Sequence, residues 1–565
     1  MRQSRTFPAL LALLSSACAF ETSTAPRGAL AEPPSASGPG RLVIDLVDGT
    51  SLEEARAVTG YQTLTWVSER SADEALASIE VPELALALSR LAGLPGVESA
   101  EPSVEVTAFG FPDDPLYDQQ WNFALIGAPA GWRVGGGAGV VVAVIDTGVS
   151  PVADLADTLL LEGYSFVPGV ASSADDNGHG THVAGTIAQS TDNGLGVAGV
   201  APQATLLPLK VLSAQGSGRS EWIASAIDEA ADQGAQIINL SLGGGASSVI
   251  ATAVQKAQAR GVLVVAAAGN SGRSGVSSPA NLPGVLAVSA VGPSDALAPY
   301  SSFGPEVGIS APGGDTRVPG GGVLQDTIAA DGHAFREFQG TSMATPHVAA
   351  AAAVLWGAGA GDAEAVKALL MGAAVDLGEA GRDPKYGAGR LDLSAAVRTL
   401  TLQARAPLFG LGLLAAALVT RMAKGVPAGW RLMALLSAAT TAGGLFFLPW
   451  LPLPPSLALD LLSRPLLLWP ERLLGDPVGR FPLLLSALVP MVLTFFLGPT
   501  RTFGALVAGV SIGAAVHFFY GAVTGSLVPW GLSGAMGGVW LGLQGAVCVV
   551  CALAATGIAR SREAK

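Results

Sequence analysis

Cysteine is nearly absent. Cys18, Cys548 and Cys551 are all that 565 residues contain, too few for a disulfide-built scaffold. Charge is scarce too. Asp, Glu, Lys and Arg make up 13% of the chain, against roughly 25% in soluble domains, which excludes one soluble globular unit. Basic side chains are the minority, 31 against 44 acidic, for a net charge of -13. That balance argues against a nucleic-acid partner. What is abundant is apolar surface: half of the residues are hydrophobic and the mean hydropathy is +0.47, which excludes disorder. The length fits three or more units at about 100–200 residues each.

These averages conceal two parts. Residues 401–565 hold 11 basic and 4 acidic side chains, a net of +7; the remainder holds 31−11 = 20 basic and 44−4 = 40 acidic, a net of -20. An acidic body joins a basic, apolar tail.

The first nineteen residues read as an export signal: Arg2 and Arg5 precede the apolar run Phe7 to Leu14, which is too short to span a bilayer. Two processing routes stay open. Ala17-Cys18-Ala19 fits a small-x-small cleavage site, and Leu14-Ser15-Ser16-Ala17-Cys18 resembles a lipoprotein box with Ser15 where leucine is usual. Residues 20–40, rich in Ser, Pro, Ala and Gly, read as a linker. From 41 to 108 the order is strand (Arg41 to Val47), helix (Leu52 to Val58), two strands (Gln62 to Val67, Ala77 to Val81), helix (Pro82 to Ala92) and a last strand from Val97. That β-α-β-β-α-β order is ferredoxin-like. Residues 109–400 alternate Ala-rich helices with strands, clearest at Val140 to Ile145, Leu206 to Val211, Ile237 to Leu240 and Val262 to Ala267. The alternation predicts a parallel sheet with functional loops at its carboxyl ends.

Residues 401–565 predict about five membrane spans: Leu408 to Thr420, Leu432 to Leu451, Phe481 to Leu497, Phe503 to Gly525 and Leu532 to Ala559. Arg421, Lys424, Arg431, Arg501, Arg560, Arg562 and Lys565 then share one side. The positive-inside rule makes that side cytoplasmic and puts residues 20–400 outside. The connection Leu453 to Arg480 falls outside as well, although Arg464, Arg472 and Arg480 weaken the charge pattern.

Three blocks carry chemistry. Val141 to Val149 ends a buried strand in Asp146-Thr147-Gly148; Asp176 to Gly185 contains His179-Gly180-Thr181-His182; Gly340 to Ala349 places Ser342 between a glycine and an Ala-rich helix. A serine hydroxyl needs an adjacent base to become a nucleophile, and an Asp, a His and a Ser in glycine-rich settings supply the parts.

In this order the blocks resemble the subtilisin-like serine peptidases, the subtilase family, over roughly residues 41–400. The resemblance implies that Asp146, His179 and Ser342 form a catalytic triad, and that Asn270, in Ala266-Ala267-Ala268-Gly269-Asn270-Ser271, supplies an oxyanion donor. Ser241, Leu242 and Gly243 would pair with an extended substrate, and with Ala267, Ala268 and Gly269 would wall the specificity pocket. Ser277-Ser278-Pro279-Ala280 would form its floor. With no acidic residue there, a neutral or apolar P1 residue is expected. A structural Ca2+ is implied at Asn193, Leu195, Val197 and Asp154, with Gln119 or Gln120 completing the oxygen shell, although the loop is one residue longer than the common form. No organic cofactor is implied.

The unit at 41–108 matches an inhibitor-type propeptide, with processing between Glu105 and Phe111. The expected fold class is therefore α/β: a subtilisin-like parallel-sheet domain, a ferredoxin-like α+β propeptide before it, and an all-α transmembrane region after it. The expected partners are protein or peptide substrates, the chain's own propeptide and membrane lipid. The rival reading is a partner-binding or transport protein of the membrane with an accessory or inactive peptidase domain. His182 and His347 read as structural, His333 as an exposed loop residue, and His517 as a neutral histidine facing another helix. Cys548 and Cys551 read as small packing residues.

Overall fold

The computed structural model describes residues 40–68, 70–103, 112–330, 332–422, 427–448, 457–474, 486–497, 503–524, 527, 532 and 534–563. The expected signal, most of the linker, Cys18 and the Glu105 to Phe111 processing site lie outside the described residues, as do Lys424, Arg480 and Arg501.

The chain divides into two compact units, Met1–Phe109 and Gly110–Lys565. In the first, β1 (Gly40–Leu46), α1 (Leu52–Thr59), β2 (Thr65–Trp66), β3 (Leu76–Val81), α2 (Leu84–Leu91) and β4 (Val97–Pro102) follow the expected order. The strands form an antiparallel sheet, β2-β3-β1-β4. Helix α1 is fixed at its start by a capping box: Ser51 Oγ accepts from Glu54 N while Glu54 reaches back to Ser51 N. Leu42, Ile44, Leu46, Leu84 and Leu91 form the core beneath.

In the second unit, β5 (Val141–Asp146), β6 (Tyr164–Ser165), α3 (His179–Ala188), β7 (Thr205–Lys210), α4 (Ser220–Asp232), β8 (Ile237–Leu240), α5 (Ser248–Ala259), β9 (Leu263–Ala267), β10 (Leu286–Val291) and β11 (Val307–Pro312) build a seven-stranded sheet. Its order is β11-β10-β9-β8-β5-β7-β6, with parallel pairing throughout. Both faces are covered. Along β5, Val142 and Val144 point into one core and Ala143 and Ile145 into the other, as period-two side chains must. Each buried Val, Leu or Ile contributes about 1.5–3 kcal/mol. A hairpin that the sequence reading did not anticipate, β12 (Val323–Ala329) with β13 (Gly332–Phe338), precedes α6 (Thr341–Gly357). Helix α6 is apolar on all sides and almost wholly buried, which makes it a core helix.

After α7 (Ala363–Gly372) come α8 (Leu393–Met422), α9 (Ala428–Gly443), α10 (Leu457–Ser463), α11 (Trp469–Leu474), α12 (Leu488–Phe496), α13 (Gly504–Thr524) and α14 (Gly534–Glu563). Three helical segments among the described residues are long and apolar enough to cross a membrane: Leu393–Arg421, Gly504–Thr524 and Ala535–Thr556. They correspond to the first, fourth and fifth expected spans. Where the second and third were expected, the described helices α9 and α12 have 16 and 9 residues, and residues 449–451 and 481–485 of those expected spans lie outside the described residues.

Candidate active site

Parallel strands deliver their last residues to one edge of a sheet, and Asp146 ends β5 there, fully buried. Its Oδ1 accepts the Thr147 N–H at 2.7 Å and lies 2.7 Å from His179 Nδ1. His179 is the first residue of α3, with 27% of its side chain exposed. Burial opposes a charge on the imidazole, but the Asp146 charge and hydrogen bond outweigh it and hold the His179 pKa above its ordinary value. With Nδ1–H turned to Asp146, the tautomer leaves Nε2 as the acceptor.

A buried carboxylate that the sequence reading missed joins the two segments. Asp175 accepts from Thr147 Oγ1 (2.8 Å), Asn177 N (2.9 Å), Gly178 N (3.0 Å), Thr181 N (2.9 Å) and Thr181 Oγ1 (2.7 Å). Thr147 Oγ1 in turn accepts the Gly180 N–H at 2.8 Å. The buried Lys210 ammonium donates to Thr147 O, to Leu212 O and to Asp176 Oδ1. Gly180 has to be glycine, because a Cβ there would strike the Gly148 carbonyl oxygen.

Ser342 lies in the first turn of α6, after Gly340. The helix contains Pro346, which has no N–H to offer the carbonyl four residues back. That carbonyl belongs to Ser342, and Ser241 Oγ takes the place of the missing donor at 2.8 Å. In return, the Ser342 hydroxyl donates to Ser241 O at 3.0 Å. Asn239 Nδ2 donates to Ser241 Oγ at 3.0 Å and completes the brace. The Ser342 hydroxyl thus points to Ser241, and among the described residues no hydrogen bond joins it to His179. Asn270 Oδ1 accepts both Thr341 N and Thr341 Oγ1 at 2.9 Å. Its amide is oriented by those bonds, with Nδ2 left free to donate.

His179, Ser241, Leu242 and Gly243 line one cleft of about 530 Å³, together with Ser278 and Pro279 as expected. Leu212, Gly216, Ser217, Gly218, Ile223 and Ile250 also line it and were not anticipated. For Leu212 and Gly216 to Gly218 the signal was the Gly/Ser-rich stretch that follows β7, whereas Ile223 and Ile250 come from α4 and α5. Ala267, Ala268 and Gly269 are not among the residues lining this cleft. Ala267 and Ala268 are buried at the end of β9, and the Gly269 N–H donates to Thr341 Oγ1 at 3.2 Å.

The loop expected to hold Ca2+ is closed on itself. Asp154 accepts from Asn193 Nδ2 (3.0 Å) and Val197 N (2.9 Å), and Asn193 Oδ1 accepts from Leu195 N (2.9 Å). Gln120 Oε1 accepts Ala198 N at 2.8 Å. Asn193 offers Asp154 its nitrogen in this arrangement. Burial pushes the Asp154 carboxyl up to about 7.

His182 stacks on Phe338 at 4.3 Å and bonds to Val323 O and Arg336 O; burial pushes its pKa down to about 3. His347 is buried between Asn122 and Met343 O. Both are structural, as expected. His333 departs from expectation: it lies on β13, not in a loop, with Nδ1 2.9 Å from the buried Asp326. His517 faces Ala442 O of the neighbouring helix at 3.1 Å, and Cys548 and Cys551 are buried and unbridged.

A model of the subtilase family matches residues 137–389. Subtilisin Savinase of Lederbergia lenta is 42% identical over 237 residues, which cover 42% of this chain and 83% of that protein. The alkaline protease of Alkalihalobacillus alcalophilus is 40% identical over 263 residues, 46% of this chain and 64% of its own. The cell wall-associated protease of Bacillus subtilis is 47% identical over 220 residues, 38% of this chain and 23% of its own.

Proposed function

The chain belongs to the subtilase family, and from that premise we propose that it is a serine endopeptidase working through Asp146, His179 and Ser342. The observation that carries this reading is the 2.7 Å contact of His179 Nδ1 with the buried Asp146, opening onto the cleft where Ser241 braces Ser342. Substrate binding turns the Ser342 hydroxyl from Ser241 O to His179 Nε2. His179 takes the proton as Ser342 attacks the scissile carbonyl, and Asp146 stabilises the imidazolium. The oxyanion is met by Asn270 Nδ2 and by the Ser342 N–H, which as a first-turn helix amide has no intrahelical acceptor. His179 then protonates the leaving amine, and water releases the acyl group. Ser241 to Gly243 bind the peptide as an added strand. The expected pocket segments Ser241–Gly243, Ala267–Gly269 and Ser277–Ala280 contain no carboxylate, which favours a neutral or apolar P1 residue.

The compact unit that ends at Phe109 acts as the propeptide, removed between Glu105 and Phe111. The three apolar segments hold the enzyme in the membrane with the peptidase domain on the extracytoplasmic side. The test is hydrolysis of a fluorogenic peptide with Leu or Phe at P1 by the processed protein. Wild type should cleave it and Ser342→Ala should not. Equal rates from both would remove the reading.

A further inference from the structure

Helix α8 belongs to two parts of the molecule at once. It runs unbroken for 30 residues. Its first turns are peptidase core, with Leu393 and Ala396 fully buried. Its far end presents Leu411, Leu414 and Leu418 with 43%, 68% and 61% exposure, a surface suited to lipid. Pro407 lies between these stretches. The helix is braced on either side of it: the Arg405 guanidinium donates to Ser463 O at 2.8 Å, and Gly443 packs so closely on Phe409 that a Cβ would lie 2.8 Å from the Phe409 Cβ.

The place where α8 starts against the peptidase fold is defined. A Cβ at Gly131 would lie 3.0 Å from Leu393 Cδ2 and 3.2 Å from Val354. Gly131 belongs to the short helix Pro129–Trp132, which precedes the turn into the amino end of β5. Val354 is near the end of α6, and α6 closes with Gly357 against Ala138, again beside the amino end of β5. Helix α6 therefore runs antiparallel to β5. It begins with Ser342 at the carboxyl edge of the sheet and finishes at the amino edge, about 22 Å away at about 1.5 Å per residue. A second tie lies at the same amino edge: Arg464, between α10 and α11, donates to Arg133 O at 3.3 Å.

Resting on the peptidase and membrane readings above, we propose that the catalytic cleft opens away from the bilayer, and that the substrates are extended polypeptide segments standing well clear of the lipid surface. Sequences inside the bilayer or at its surface are out of reach. An extended chain covers about 3.3 Å per residue, so a membrane-anchored substrate needs a spacer of at least about seven residues before its scissile bond to reach Ser342.

Two measurements on the processed protein with its complete membrane region, in lipid nanodiscs, test this. The first compares anchored substrates that carry one cleavable sequence behind spacers of about 2 and about 15 residues. The long spacer should be cut at least about tenfold faster, while the same sequence as a free peptide sets the reference rate. Equal cleavage behind both spacers overturns the proposal. The second does not depend on turnover. A fluorophore on Ser217→Cys, at the cleft, should transfer less energy to acceptor-labelled lipid headgroups than one on Gln203→Cys, beside Gly136 near the amino edge. Equal or reversed transfer overturns the orientation even if peptides are hydrolysed. Normal transfer with no free-peptide cleavage removes the peptidase reading, and the substrate class with it.

Discussion

A serine hydroxyl is inert until its proton has somewhere to go, so the residue scale turns on His179. Asp146 holds its pKa above the ordinary value despite burial. The base works only when neutral, so kcat/KM should fall as pH drops through a midpoint above about 6.5. Asp146→Asn should lower that midpoint and cut kcat by about 10⁴; a pH–rate profile of both proteins reads the two effects. Among the described residues Asn270 is oriented by Thr341. Asn270→Ala should therefore reduce kcat by about 10²–10³ with little change in KM, measured by steady-state kinetics. At this scale the pairing of His179 with Asp146 was legible, because glycines lie beside both residues and each block has its own pattern. Asp175 and the Ser241 brace were not legible, because their partners are distant in the chain and only folding brings them together. The same limit applies to His333, whose partner Asp326 is revealed only by the pairing of β12 with β13.

Elements decide how closely those residues can approach. Helix α3 packs against the end of β5 only because Gly180 lets its first turn meet Gly148. Gly180→Ala should therefore displace His179 from Asp146, lowering the melting temperature and abolishing peptide hydrolysis together; thermal melts and rate assays on the same sample check this. Preserved activity would mean that the turn yields more easily than its contacts imply. The strands of the parallel sheet were readable as continuous Val, Ile and Ala runs, since both of their faces are buried. Strand β12 was not, because it buries Gln325, Asp326 and Thr327 and its polar residues break the pattern. Pro346 has a similar lesson. In the sequence it looks like a flaw in α6; in the fold it leaves the Ser342 carbonyl to Ser241.

The whole molecule explains why its composition describes no single part. The acidic body and the basic, apolar tail differ by 27 charges, -20 against +7. The tail's uncharged runs made a membrane region legible: three of the expected spans coincide with helical segments long and apolar enough to cross a membrane, and parts of the other two, 449–451 and 481–485, lie outside the described residues. Full-length protein should stay with membranes through alkaline carbonate washing and be released by detergent. Recovery in the wash would contradict the membrane reading. The central claim, that Ser342 is the activated nucleophile of an exported peptidase, is tested most directly by fluorophosphonate labelling of the processed protein, with the adduct located by peptide mass spectrometry. The account predicts one adduct, on Ser342, that disappears in His179→Ala. An unmodified Ser342, or labelling that does not depend on His179, would contradict it.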